Sequence, residues 1–195
     1  MTDSNFLSPS VDVTGVILAG GRGIRMGGED KGLLLYQGKP LYQHVLARLQ
    51  PQVSRIYINA NRNLAAYQQS GLPVISDSLP DFPGPLAGML AALENIETEW
   101  AVFVSCDTPA LPENLVSHLW QGKHHAMAVW AQSAQRQHPT LALLHISLAP
   151  ALASFLAKGE RKVMLFLQQA GGHSVPFDDC PGAFANINCP EDLLL

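Results

Sequence analysis

Short apolar runs rich in β-branched residues alternate along this chain with longer stretches whose apolar positions recur at helical spacing. The runs at 14–19, 55–59, 73–76, 100–105, 126–130 and 140–145 read as strands. Their interiors carry almost no charge, as expected of strands covered on both faces. Segments 41–49, 64–69, 86–94, 113–120, 150–157 and 162–170 read as helices, with Pro40 and Pro112 at the first turns of the first and fourth. This alternation predicts a three-layer α/β fold: a mainly parallel sheet, right-handed crossovers and helices on both faces. Ligands of such sheets bind beyond the carboxyl ends of the strands, so the residues just past each strand are the ones to search for chemistry.

The 195 residues, 47% of them hydrophobic, suit one domain over 1–195 with a sizeable core. No repeat, low-complexity tract or linker divides the chain. SLPDFPGPLAG at 78–88 reads as a rigid loop entering a helix, and the first dozen residues are expected to fray. A net charge of −4 leaves no excess of Lys and Arg to displace counterions, which argues against general affinity for nucleic acid. The three cysteines, Cys106, Cys180 and Cys189, form no CxxC pair and fit a reducing cytoplasm. The start has no basic and apolar leader, and no apolar run approaches bilayer length, so a soluble cytoplasmic protein without membrane contact is expected.

The stretch LAGGRGIRMGGEDK at 18–31 follows the first strand directly. Without Cβ atoms its glycines let backbone amides approach an anion closely, and Arg25 and Lys31 add two cations suited to a polyphosphate. A Walker A loop is excluded, because Lys31 lies between Asp30 and Gly32 and no Ser or Thr follows it. A dinucleotide fingerprint fails too, since counting from Gly21 and Gly23 its last glycine would fall on Met26. On glycine content alone a wet loop, with Lys31 and Arg25 paired to Glu29 or Asp30, explains the stretch equally well. Asp107 follows the apolar run WAVFVSC and should emerge at the sheet's carboxyl edge. A hard oxygen there suits a divalent cation, while a cap near Pro112 or a turn with Thr108 is the structural alternative.

LAGGRGIRMGGEDK resembles the signature LAGG-x-x-x-RMG-x-x-DK of the molybdenum cofactor guanylyltransferases, nucleotidyltransferases of the sugar-nucleotide pyrophosphorylase type. The resemblance continues in order through KGLL, GKPL, INAN (58–61), SDS (76–78), PGPLAG (83–88), CDTP (106–109), HPT (138–140), GERKVM (159–164) and NINCPEDL (186–193). It implies a Rossmann-like sheet of the nucleotide-diphospho-sugar transferase type. The implied reaction moves GMP from GTP to the terminal phosphate of molybdopterin and releases pyrophosphate, by positioning and electrostatics without a covalent enzyme intermediate. The same resemblance gives Arg25 and Lys31 to the phosphates and Asp107 to Mg²⁺, with Mn²⁺ as the alternative ion. It places GTP against Leu18, Ala19, Gly20, Lys31, Asn59, Asp77 and Asp107. Asp77 is suited to accept from the N1–H and amino group of guanine, and equally to hold ribose or to close a turn with Leu79. For the bulky anionic second substrate the candidates are Gly84 with the PGPLAG loop, His138, Thr140, Arg161 with Lys162, and Asn186 and Asn188.

A cytidylyl sibling would show LAAG where this chain has LAGG at 18–21; the missing methyl leaves room for a purine and favours GTP over CTP. A sugar-1-phosphate nucleotidyltransferase shares the loop and fold, and a nonenzymatic nucleotide sensor would have no need of Lys31 and Asp107 together. A monomer is expected, with transient contacts to proteins that make or receive the cofactor. His124 and His125 read as a wet helix end rather than a metal site.

Overall fold

The computed structural model describes residues 12–20, 29–79, 84–178, 182–188 and 192. Its main sheet comprises β1 (Val13–Leu18), β4 (Arg55–Asn59), β5 (Val74–Ile75), β6 (Trp100–Ser105), β7 (Ala128–Gln132), β8 (Gln137–His145) and β9 (His173–Pro176). The helices are α1 (Leu41–Leu49), α2 (Leu64–Gln68), α3 (Pro85–Asn95), α4 (Leu115–Gly122), α5 (Ala149–Ala157) and α6 (Val163–Gln169). The sheet order is β5-β4-β1-β6-β8-β7-β9, and only the pairings of β8 with β6 and β7 are antiparallel. The mainly parallel three-layer fold is therefore present, with one reversed strand. No helix among the described residues is long and apolar enough to cross a membrane.

The sheet divides the core in two. On one face Val45, Leu49, Tyr67, Leu115 and Leu119 pack against Ile17, Val102, Val104 and Leu143. On the other, Leu86, Met89, Leu93, Leu152, Phe155 and Phe166 pack against Val16, Phe103, Ala142 and Leu144. Successive strand residues feed alternate faces, so the uncharged strand interiors follow from two-sided burial, each fully buried large side chain contributing about 1.5–3 kcal/mol. The one polar group inside β1, Thr14, shares a 2.7 Å hydrogen bond with Thr98, whose hydroxyl contacts the carbonyl of Trp100.

β8 begins at Gln137 rather than 140, and it is reversed because the turn from β7 is too short for a crossover. Ser133 and Arg136 close that turn through a backbone bond of 2.9 Å. A register shift between Trp130 and Ala131 accommodates Pro139, which has no N–H for the ladder. β7 lies two residues later than predicted, ending on Gln132. Neither the edge strand β9 nor the small hairpin of β2 (Leu35–Tyr36) and β3 (Lys39–Pro40) carries a periodic apolar signal. Gln37 and Gly38 turn that hairpin, both at positive φ.

Sequential strands lie outward from β1 on one side through β4 to β5, and then resume on its other side with β6. The crevice at the carboxyl ends of β1 and β6 is thus the topological switch point of the sheet. Reversal of β8 brings its amino-terminal end to this same edge. With Phe103 opposite Ala142, carrying the register two residues further sets Thr140 beside Ser105.

Candidate active site

A cavity of about 250 Å³ occupies the switch point. Leu18, Ala19 and Gly20 leave β1 into it, Asn59 ends β4, Asp77 follows β5, and Ser105, Cys106 and Asp107 leave β6. Lys31, Gly84, Pro85 and Thr140 complete the lining. Of the residues singled out from the sequence, those at strand ends converge here because parallel strands deliver their carboxyl ends to one edge.

Lys31 Nζ donates to Asp107 Oδ2 at 2.7 Å and to Asn188 Oδ1 at 3.1 Å. The two charged side chains are only 20% and 13% exposed, which sets this pair apart from the wet ion pairs of the surface. The other oxygen of Asp107 accepts from Ser105 Oγ at 2.5 Å and Thr108 Oγ1 at 3.4 Å. Thr108 Oγ1 also lies 3.3 Å from Asn186 Oδ1, and Ile187 N donates to the Asp107 carbonyl at 2.9 Å. Residues 186–188 are thereby tied to the strand end that carries Asp107. Asp107 makes no cap on α4, whose first residue is Leu115. Lys31 pairs with Asp107 rather than with Glu29 or Asp30.

Three strands away, about 14 Å along the edge at usual strand spacing, a second polar cluster is built from amides. Asn59 Nδ2 donates to Asp77 Oδ1 at 2.8 Å and to the Ile75 carbonyl at 3.2 Å. Asn61 Nδ2 donates to Asp77 Oδ2 at 2.9 Å, and Asp77 N donates back to Asn61 Oδ1 at 2.8 Å. Asp77 is thus oriented by two side chains, which a turn to Leu79 would not require. α3 passes so close that a Cβ on Gly88 would sit 2.1 Å from Asn59 Oδ1. Asn61, Ser105 and Gly88 also belong to this site, and no pattern in the sequence singles them out individually. INAN and PGPLAG were the only signals for Asn61 and Gly88, and Ser105 had none beyond its place at the end of the apolar run before Asp107.

Cys106 is buried, and burial together with the Asp107 carboxylate pushes its thiol up to about 12. It is a neutral packing group and not a nucleophile. Arg25, Cys180 and Cys189 lie outside the described residues, as does the beginning of PGPLAG. Arg161 and Lys162 are exposed ahead of α6 and do not line this cavity. His124, exposed at the end of α4, faces His173 at 6.1 Å, and no group of three metal-binding side chains exists among the described residues.

His138 lines a different cavity, of about 310 Å³, with Ser133, Arg136, Phe177, Asp178 and Phe184. Its ring stacks on Phe184 at 4.7 Å, and Nε2 lies 3.0 Å from Ser133 Oγ. Burial, aided by the Arg136 cation, lowers its pKa from the ordinary 6.5. The folded chain therefore holds His138 neutral while the unfolded chain takes up a proton below about pH 6.5. Stability should be complete above that value and decline as the pH falls beneath it. Urea unfolding between about pH 8 and about pH 5 should show a smaller decline for His138→Gln than for the parent.

Residues 15–173 match the family model described as the MobA-like NTP transferase domain. The chain belongs to the MobA-like NTP transferase family. It is 58% identical over 183 residues, 94% of this chain and 93% of the relative, to a protein of Serratia proteamaculans named molybdenum cofactor guanylyltransferase. A Yersinia pestis protein of the same name is 55% identical over 181 residues, 93% of each chain. The crystal structure of molybdopterin-guanine dinucleotide biosynthesis protein A from Archaeoglobus fulgidus superposes with a TM-score of 0.75 at 27% identity, covering 93% of this chain and 95% of that one.

Nucleotidyltransferases of this family point to dependence on a divalent cation. The donor set suits one shared with a substrate: the Asp107 carboxylate, backed by hydroxyls, supplies hard oxygen, leaving the remaining positions of an ion to phosphates and water.

Proposed function

We infer that this chain is a molybdenum cofactor guanylyltransferase, one nucleotidyltransferase domain acting in the cytoplasm. It transfers GMP from GTP to the terminal phosphate of molybdopterin and releases pyrophosphate. The observation that carries the site assignment is the pairing of Lys31 and Asp107 at the switch point, with the Asn59–Asp77 cluster across the same edge. That separation is close to the reach of an extended nucleoside triphosphate, so guanine belongs with Asp77 and Asn59 and the phosphates with Gly20 and Lys31.

In the reaction an oxygen of the acceptor phosphate forms a bond to the α-phosphorus of GTP while the bond to the bridging oxygen of pyrophosphate breaks. Both reactants are anions. Lys31 offers its ammonium to the phosphate oxygens, and Arg25 is assigned the same task. The backbone of Leu18, Ala19 and Gly20 lies against the nucleotide, and α3 directs its amino terminus into the cavity at Gly84 and Pro85, where the helix dipole favours negative charge. Asp107 would hold Mg²⁺, with Mn²⁺ as the alternative, and the ion would supply charge neutralisation at the phosphates. Ser105 and Thr108 fix the carboxylate that binds it. Asp77 accepts from the N1–H and amino group of guanine, donors that adenine does not present, so an adenine nucleotide forfeits both of those bonds. The second substrate is assigned to Gly84 and Thr140, which line the cavity, and to Asn186 and Asn188, which reach it through Thr108 and Lys31. His138 and Arg161 lie beyond the cavity and are its outer contacts in this reading.

Gly88→Ala tests the base site. Its methyl group must displace Asn59, which is held by Ile75 and Asp77, so the KM for GTP should rise by about 10-fold with a smaller change in kcat. An unchanged KM would remove Asn59 from base recognition. The whole reading is tested by incubating the protein with molybdopterin, Mg²⁺ and either GTP or CTP. Guanylated product and pyrophosphate should form with GTP, whereas preferential turnover of CTP would make the chain a cytidylyltransferase.

A further inference from the structure

Asp30 precedes Lys31 and is buried, with 6% of its surface exposed. A buried carboxylate is costly unless its lone pairs are met, and an apolar residue would fill the same space at lower cost. Here they are met from one short element. Tyr67 of α2, fully buried, donates its hydroxyl to Asp30 Oδ1 at 2.5 Å, and Asn63 Nδ2 donates to Oδ2 at 3.0 Å. Arg62 Nε lies 3.9 Å from Oδ2, and Arg62 also donates to the carbonyl of Glu29 at 2.8 Å.

Asn63 is the residue before α2, a position where its side-chain oxygen ordinarily accepts from the helix amides. It makes no such bond and sits in the left-handed region at φ 51. Its amide is directed to Asp30 instead. On the other side of Lys31, a Cβ on Gly32 would approach the Tyr67 hydroxyl to 2.4 Å. The residues before and after Lys31 therefore both rest on that hydroxyl, and the Asp30 carbonyl closes the turn at Leu33 N, 3.0 Å away. Tyr67 is itself fixed edge-on against Tyr42 of α1 at 5.1 Å. Burial and the Asp30 carboxylate hold the Tyr67 hydroxyl far above its ordinary pKa, so it remains a donor throughout the working pH range.

We propose that Tyr67 and Asn63, through the buried carboxylate of Asp30, are positioning residues that fix the backbone of Lys31 so that its ammonium meets the nucleotide phosphates. This rests on the reading of Lys31 as a phosphate-facing cation. A lysine stem has four rotatable bonds, so its reach is useful only when its origin is fixed. Misplacement by about 1 Å is enough to cost about 100-fold in rate.

Tyr67→Phe retains the ring against Tyr42 and removes only the hydroxyl. Asn63→Gly removes only the amide and leaves a backbone conformation that glycine adopts freely. Each should lower kcat by about 10- to 100-fold with little change in the KM for GTP. The discriminating measurement repeats both changes in a Lys31→Ala background by single-turnover kinetics. If they act through Lys31, each should change that residual rate by less than about 2-fold. Equal losses in both backgrounds, or full activity of both single variants, would overturn the proposal, and Asn63→Gly preserves the test if Tyr67→Phe folds poorly. Normal turnover of Lys31→Ala alone would instead overturn the reading of Lys31 on which the proposal rests.

Discussion

Asp107→Asn is expected to lower turnover with GTP by about 1,000-fold, equivalent to about 4 kcal/mol of transition-state stabilisation. The substitution preserves shape and the bonds from Ser105 and Thr108 but removes the charge. It also turns an amide N–H₂ toward Lys31 Nζ, which stands 2.7 Å from Oδ2. An amide is a poor ligand for a hard divalent ion when no second carboxylate compensates, and no three-residue acidic or imidazole cluster exists among the described residues. GTP should still bind within about 10-fold of the parent, because Asn59, Asp77 and the turn after β1 are untouched. Activity within about 10-fold of the parent would remove Asp107 from the metal site, and normal binding by an equally inactive parent would favour a nucleotide sensor.

Lys31→Ala should reduce kcat/KM by about 100- to 1,000-fold if this largely buried cation meets the phosphates as proposed, because water screens it poorly there. The loss has two parts: the phosphates lose a donor, and Asp107 loses the partner that orients Oδ2. Lys31→Arg should recover only part of the activity, because a planar guanidinium cannot occupy the place of a compact ammonium between Asp107 and Asn188. The double variant with Asp107→Asn should be far less impaired than the product of the single losses, as expected of groups that act as one unit. Steady-state kinetics on the four proteins decide this. Multiplicative losses would mean that Lys31 and Asp107 act independently.

The parts of the fold that the amino-acid pattern revealed are those whose period comes from two-sided burial. β1, β4, β6 and α1 fall where apolar spacing puts them, because successive strand residues enter the two cores in turn and every third or fourth helix residue enters one of them. β9 and the β2–β3 hairpin lie at edges, where burial of one or two side chains leaves no period to read. The reversal of β8 depends on the length of a turn rather than on any strand residue. At the site, Asn59, Asp77 and Asp107 were legible because each stands at or just past the end of an apolar run, where a polar residue is hard to explain by packing, and Lys31 because it closes the glycine-rich stretch that follows the first strand. Tyr67 and Asn63 were not, since α2 looks like an ordinary amphipathic turn and only the tertiary contact with Asp30 distinguishes it. Gly88 stood out only as part of PGPLAG, because its need arises from Asn59, 29 positions earlier.

The most direct test is a crystal structure with a non-hydrolysable GTP analogue and Mg²⁺. The triphosphate should lie against the turn after β1 with Lys31 on its oxygens, the ion about 2.1 Å from a carboxylate oxygen of Asp107, and guanine beside Asp77. An analogue bound away from the switch point, or an ion held by residues other than Asp107, would contradict the assignment of this site.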